Sequence, residues 1–77
     1  MVKELEDHRF IKAFGKHLRN LRIEKKLSQE ELANDAEIPI NQIGRIERAE
    51  IKTSLSTIYK ISKALKINPK YLFDFEE

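Results

Sequence analysis

The side chains best suited to specific polar contacts are one amide and two guanidinium groups between residues 41 and 48. On a helix, Asn41, Arg45 and Arg48 fall on one side, opposite the apolar Ile43 and Ile46. Arginine can donate two hydrogen bonds to guanine, and asparagine can pair in a similar way with adenine. The pattern, which places no acid on this side of the helix, therefore suits the major groove of DNA, although these residues could also be ordinary solvated side chains.

Charge is unevenly distributed along the chain, although the net charge is only +2. Seven basic residues and a single acid lie between residues 9 and 26, whereas residues 74–77 contain three acids and no base. A basic segment of this kind suits a polyanionic partner such as nucleic acid. A solvated protein surface would explain the same run, so charge alone does not decide the function.

The sequence contains no combination of residues typical of catalysis or metal binding. There is no cysteine, and His8 and His17 would lie on opposite sides of one helix. The two glycines are isolated and cannot form a phosphate-binding loop. We therefore predict that the protein is not an enzyme, binds no metal, needs no cofactor and has no small-molecule substrate.

Length and composition predict one small soluble domain. The 77 residues are 40% hydrophobic and 36% charged, which is too polar for a membrane protein and too apolar for a disordered one. No apolar run approaches the roughly 20 residues that span a bilayer, and the first residues do not form a signal peptide. Because no cysteine is available for disulfides, the expected location is the cytoplasm.

Helical periodicity runs through the chain, and no segment has the alternation of a strand. The first helix is predicted to begin at Phe10, because Leu5 falls outside its apolar stripe. The pattern predicts an all-α, compact five-helix domain, with a third helix over residues 40–48. Capping residues and prolines indicate the later helix starts, which are Ser28 with Glu31, Pro39, Thr53 with Ser54, and Asn68 with Pro69.

These elements divide the chain into three parts. Residues 1–9 form an N-terminal extension, residues 10–73 form the folded domain, and residues 74–77 form an acidic tail. Only a few residues separate the second and third predicted helices, which is the spacing of a helix-turn-helix unit. We place this unit at residues 28–48.

The sequence resembles the phage-repressor family of helix-turn-helix regulators, also called the Cro or Xre type. Within that family it looks like the short stand-alone regulators, which include restriction–modification controller proteins and mobile-element regulators. The resemblance extends from residue 14 to residue 73 and implies a lambda-repressor-like fold. It rests on LSQEELA at 27–33, Ile38, IGRIER at 43–48, SLSTI at 54–58 and ISKAL at 61–65.

The resemblance implies a repressor or activator of transcription that binds double-stranded DNA as a homodimer. In such proteins the third helix lies in the major groove, and the two-fold symmetry selects a partly palindromic operator. Base-reading positions are implied at Ile40, Asn41 and Arg45. The residues expected to contact the DNA backbone are Gln29, Gln42, Arg48, Lys52 and Thr53.

Two further expectations concern the framework of the domain. Arg22 and Glu47 each border the apolar stripe of a helix, and the resemblance implies a partly buried ion pair between them. Glu37 stands where the family often has a turn glycine, so a left-handed backbone there would be strained. Ala49 stands where the family commonly has the glycine that ends the third helix.

A dimer surface is predicted near the C terminus, where Tyr71, Leu72, Phe73 and Phe75 exceed what one short helix can bury. The same side chains could instead complete the core of a monomer. An alternative function also remains open at this point. The chain could be an antitoxin-like or adaptor module whose apolar C-terminal part binds another protein, with DNA binding secondary.

Overall fold

A computed structural model describes the backbone of residues 2–76 and the side chains of residues 7–76. Within this range the chain is all helical and contains no strand. Four α-helices are followed by a 3-10 helix, so the prediction of an all-α fold is confirmed and that of five α-helices is wrong. The elements are α1 (Val2–Glu24), α2 (Gln29–Ala36), α3 (Gln42–Glu47), α4 (Leu55–Leu65) and the 3-10 helix (Pro69–Phe73).

The last element is a 3-10 helix because it is only five residues long and its bonds span three residues. The Tyr71 amide donates to the Asn68 carbonyl at 3.0 Å, and the Asp74 amide donates to the Tyr71 carbonyl at 3.4 Å. The Asn68 side chain accepts a bond from the Lys70 amide, as expected for the predicted helix start.

Two helices differ in their bounds from those predicted. α1 begins at Val2 and not at Phe10, so residues 2–9 prolong the first helix. A helix that is already formed can continue past its apolar stripe where no glycine or proline interrupts it. α3 is shorter than predicted, because the Gln42 amide bonds to the Pro39 carbonyl at 3.0 Å and residues 40–41 form a turn.

All four α-helices end with a left-handed residue that is not glycine. In each case the amide of the next residue bonds to a carbonyl five positions earlier, at 2.8–3.1 Å, which is the Schellman motif. The strain expected at Glu37 is therefore present and also arises at the other three positions, at about 1–2 kcal/mol per residue. The left-handed residues and their φ angles are Lys26 (61°), Glu37 (59°), Ala49 (61°) and Lys66 (61°).

One hydrophobic core joins all five elements. The 3-10 helix reaches it through Leu72, which is fully buried, so the prediction that Leu72 lies in a dimer interface is wrong. This residue points inward because its short helix packs against both α1 and α4. The core consists of Phe14, Leu18, Leu32, Ala33, Ala36, Ile43, Ile46, Ile58, Ile61, Leu65 and Leu72.

The other C-terminal aromatic residues differ in exposure. Phe75 is half-buried and packs against α1, with ring centroids 5.4 Å from Phe10 and 5.5 Å from His17. The same histidine donates from Nε2 to the Tyr71 carbonyl at 2.7 Å in one tautomer, which ties the C-terminal segment to α1. Tyr71 and Phe73 remain exposed.

α1 and α3 approach each other at Gly15. A Cβ atom at this position would lie 2.6 Å from the carbonyl oxygens of both Ile46 and Glu47. The absence of a side chain therefore lets α1 pack directly on the backbone of α3, which sets the distance between the two helices. Among the described residues, no helix has both the length and the apolar character needed to cross a membrane.

Candidate nucleic-acid interface

α2 begins with the predicted capping box. The Ser28 hydroxyl accepts a bond from the Glu31 amide at 3.0 Å, and the Glu31 carboxylate accepts one from the Ser28 amide at 2.8 Å. The helix then buries Leu32 and Ala33 and ends at the left-handed Glu37. The turn that follows delivers the chain to α3, so α2 and α3 form a helix-turn-helix unit.

A buried ion pair clamps α3 to α1. Arg22 donates from Nε to Glu47 Oε2 at 2.7 Å and from Nη2 to Oε1 at 3.1 Å, which is bidentate geometry. Its third nitrogen donates to the Leu27 carbonyl at 2.8 Å. Only 10% of the Arg22 side chain and 2% of the Glu47 side chain are exposed, so the predicted pair is confirmed.

Gln29 also takes part in this buried network, which the sequence did not predict. Its amide nitrogen donates to Glu47 Oε1 at 3.0 Å, and its side-chain oxygen lies beside Gly44. One carboxylate therefore accepts bonds from α1 and from α2 while it belongs to α3. The expected phosphate contact of Gln29 remains a prediction.

The outer side of α3 and its flanking residues form an exposed surface, which we call the recognition face. It consists of Ile40, Asn41, Arg45 and Arg48, and the helix buries Ile43 and Ile46 on the other side. The Asn41 side chain makes no capping bond at the start of α3, and Gln42 is half-buried beside it. The predicted base-reading residues thus lie together on one solvent-facing surface.

The recognition face also carries an acid, contrary to the pattern inferred from residues 40–48. Glu50 accepts bonds from Arg48 Nε at 2.7 Å and Nη2 at 3.4 Å, and its carboxylate lies 3.9 Å from Arg45 Nε. The hydrogen bond from Arg48 lowers the pKa of the Glu50 carboxyl, and the bond to Glu50 raises the pKa of the Arg48 guanidinium. The left-handed turn at Ala49 brings this carboxylate back beside the helix.

The two residues expected to contact phosphates after α3 differ in their surroundings. Lys52 is exposed, and its Nζ lies 3.5 Å from the Asp7 carboxylate of α1. The Thr53 hydroxyl is buried and has no hydrogen-bond partner among the residues that the structure describes. This hydroxyl is out of reach of solvent in this arrangement of the chain, and the phosphate contact expected of Thr53 remains a prediction.

A shallow apolar groove of about 280 Å³ lies between α1, α4 and the segment that joins α3 to α4. Leu55 at its edge is 85% exposed, and Phe10 and Phe73 are also exposed. The exposed apolar surface around this groove therefore comes from α1, the start of α4 and the C-terminal segment. The residues that line this apolar groove are Asp7, Phe10, Ile11, Phe14, Ile46, Ile51, Lys52, Thr53, Leu55, Ile58 and Phe73.

Comparisons with known proteins agree with this architecture. The HTH_3 family, described as helix-turn-helix, matches residues 18–72. Control protein C.BamHI of Bacillus amyloliquefaciens is 44% identical over 63 residues, which are 80% of this chain and 78% of that protein.

Solved structures show the same similarity. The restriction–modification controller protein C.AhdI of Aeromonas hydrophila superposes with a TM-score of 0.79 at 42% identity, covering 84% of this chain and 97% of that one. The P22 c2 repressor, solved in complex with a synthetic operator, superposes with a TM-score of 0.72 at 27% identity. That match covers 80% of this chain and 94% of the repressor chain.

Proposed function

Because the chain belongs to the HTH_3 family of Xre/Cro-type helix-turn-helix transcription regulators, we propose that it binds double-stranded DNA at a specific sequence and acts as a controller-type regulator. The observation that carries this proposal is the recognition face, where polar side chains are exposed on a helix clamped from behind by the Arg22–Glu47 pair. The relatives named above are regulators and not enzymes, and we propose no catalytic activity. A cytoplasmic location would give the protein access to DNA.

Docking of α3 in the major groove assigns roles to the recognition face. Arg45 would donate two hydrogen bonds to a guanine, Asn41 would pair with an adenine, and Ile40 would contact a thymine methyl group. Gln29 at the start of α2 and Gln42 at the start of α3 would approach backbone phosphates, together with Arg48 and Lys52. These backbone contacts would supply a salt-dependent affinity that is the same for every sequence.

The protein would act as a homodimer on a partly palindromic operator. A two-fold dimer places its two copies of α3 about 34 Å apart, which is one turn of DNA. The apolar groove supports this proposal, because Leu55, Phe10 and Phe73 leave an exposed apolar patch that a second copy would cover. Tyr71, also predicted at the interface, is exposed nearby on the C-terminal segment.

Fluorescence anisotropy would test the reading of bases. The probes are duplex DNA from upstream of the protein's own gene, duplexes selected from a random library, and scrambled duplexes. At about 150 mM salt, Arg45→Ala should weaken binding to the preferred duplex by about 1–3 kcal/mol and leave scrambled DNA nearly unchanged. Lys60→Ala on α4 is the matched control, since it also removes an exposed cation. Equal losses on both DNAs would show that Arg45 contacts only phosphates.

A second candidate function is favoured by the apolar groove alone. A protein-interaction module would use this groove, with its largely exposed Leu55, to hold another protein. Light scattering of wild type and Leu55→Asp separates the two ideas. A wild-type dimer that becomes a monomer with weaker operator binding supports the homodimer. A wild type that is monomeric at all concentrations and does not bind DNA selectively supports the interaction module.

A further inference from the structure

We propose that Glu50 determines specificity by holding Arg45 and Arg48 on the recognition face and by competing with DNA phosphates for their guanidinium groups. This inference rests on the proposed DNA-binding function and adds a residue that the base-reading pattern does not include. Glu50 would act as a positioning residue, since its effect passes through the two arginines. The same carboxylate would also disfavour contacts that carry no sequence information.

The backbone fixes Glu50 at the end of α3. Its amide donates to the Arg45 carbonyl at 2.8 Å, and the Ala49 amide donates to the Ile46 carbonyl at 3.0 Å. These two bonds complete the Schellman motif around the left-handed Ala49. The carboxylate is therefore carried by an ordered turn and not by a loose loop.

The side-chain contacts place this one carboxylate between two cations. Arg48 faces it with two nitrogens, at 2.7 and 3.4 Å, and Arg45 Nε lies 3.9 Å away. Gly44 leaves room for the Arg48 guanidinium, because a Cβ atom there would lie 2.9 Å from Arg48 Nη1. The guanidinium thus lies over the surface of α3, with one side bound to Glu50.

A carboxylate and a phosphate bind guanidinium with the same paired geometry. On DNA of random sequence the arginines can gain only phosphate contacts, and each such contact must compete with Glu50. On the preferred sequence, Arg45 can use its free donors for a base edge while Glu50 restricts the orientation of the side chain. Removal of the carboxylate therefore strengthens random binding and reduces the advantage of the preferred site.

The test compares Glu50→Gln with wild type on the selected duplex and on scrambled duplexes over a range of salt concentrations. Glu50→Gln should bind scrambled DNA about five-fold more tightly at 150 mM salt, with a salt slope steeper by about one unit, as for one added phosphate contact. Binding to the selected duplex should stay unchanged or weaken, because a stronger phosphate contact by Arg48 is offset there by the lost restraint on Arg45. The ratio of the two affinities should therefore fall at least about five-fold.

Three variants exclude simpler explanations. Asp35→Asn, near Lys60 and Lys63 at the far end of α2, makes the same charge change and should not alter the affinity ratio. Glu50→Asp should restore most of the wild-type ratio, since it keeps the charge. In an Arg48→Ala background, Glu50→Gln should have a smaller effect than in wild type, because one of the two groups that it acts on is gone.

The outcomes separate this inference from the function on which it rests. A wild type that prefers one duplex while Glu50→Gln keeps the same ratio would overturn the role of Glu50 and leave the DNA-binding proposal intact. If Asp35→Asn strengthens binding to scrambled DNA as much as Glu50→Gln does, the effect comes from the net charge of the protein, and the inference is overturned. A wild type with no preference among all duplexes would overturn both.

Discussion

Replacement of Arg22 with methionine should destabilise the fold more than any exposed substitution on α1. The change keeps the apolar stem of the side chain and removes its three hydrogen bonds, two to Glu47 and one to the Leu27 carbonyl. The Glu47 carboxylate would then remain buried with only the bond from Gln29, 3.0 Å away. A buried charge that loses its partner is costly because water cannot replace that partner.

The expected loss follows from the burial of the pair. Removal of one member of a buried pair destabilises proteins by about 3–5 kcal/mol. The remaining bond from Gln29 and the retained stem at position 22 place this case near 3 kcal/mol. A chain of this size has a total stability of roughly 4–12 kcal/mol, so the loss is a large share of it. The midpoint of thermal unfolding should fall by about 12 °C or more.

Urea and thermal unfolding followed by circular dichroism at 222 nm would measure this loss. Arg19→Met is the matched control, because Arg19 is exposed on the same helix, and it should change stability by less than about 0.5 kcal/mol. The double variant Arg22→Met/Glu47→Leu should recover much of the loss, since no unpaired charge remains. Equal midpoints for Arg22→Met and Arg19→Met would refute the argument from the buried pair.

Three further predictions concern the backbone and the recognition face. Ala49→Gly should raise the free energy of unfolding in urea by about 1 kcal/mol, because glycine relieves the left-handed strain. Gly15→Ala should lower the free energy of unfolding by about 1–3 kcal/mol, since a Cβ atom would clash with α3 carbonyls. Gly44→Ala is its control and should change the free energy of unfolding by less than about 1 kcal/mol, because the added Cβ atom meets only the ends of the Arg48 and Gln29 side chains. Glu50 should titrate below its ordinary pKa in carbon-13 NMR, and Arg48→Ala should reverse this.

Matched glycine substitutions would check the first two predictions. Ala64→Gly lies within α4, where the backbone is not strained, and should lower stability by about 1 kcal/mol. If Ala49→Gly also lowers stability, the left-handed turn carries no strain. Equal unfolding midpoints for Gly15→Ala and Gly44→Ala would contradict the close packing of α1 on α3.

The Glu50 titration also fixes the sign of a small pH effect. Because the pKa of Glu50 is lower in the folded state than in the unfolded state, its pair with Arg48 favours folding at neutral pH. This contribution is lost as the pH falls through the lowered pKa. A Glu50 pKa that is the same in wild type and in Arg48→Ala would mean that the pair does not persist in solution.

The elements that could be predicted from the sequence depend on short-range signals. Ser28 with Glu31, Ser54 and Asn68 all start helices as expected, because a cap is decided within three or four residues. The start of α1 could not be placed in this way, since the apolar stripe reports burial and not the end of the helix. The last element looked like an α-helix because a start signal does not fix the hydrogen-bond span.

The candidate site was predictable where a residue borders an apolar stripe, as for Arg22 and Glu47. Glu50 was missed because it lies beyond the predicted helix, and only the left-handed Ala49 brings it back to the recognition face. The presence of alanine where the family often has glycine was the one available signal of that turn. The burial of Leu72 and of the Thr53 hydroxyl depends on distant helices, which no local pattern specifies.

The shared carboxylate of Glu47 has a consequence for how the domain opens. The carboxylate belongs to α3 and accepts bonds from Arg22 of α1 and Gln29 of α2. The backbone carbonyl of the same residue packs against Gly15 of α1. Local opening of any one of these three helices would leave a buried charge without part of its hydrogen bonding. We therefore expect α2, α3 and the second half of α1 to exchange their amide hydrogens as one cooperative unit. In that case α3 does not unfold while the rest of the domain stays folded.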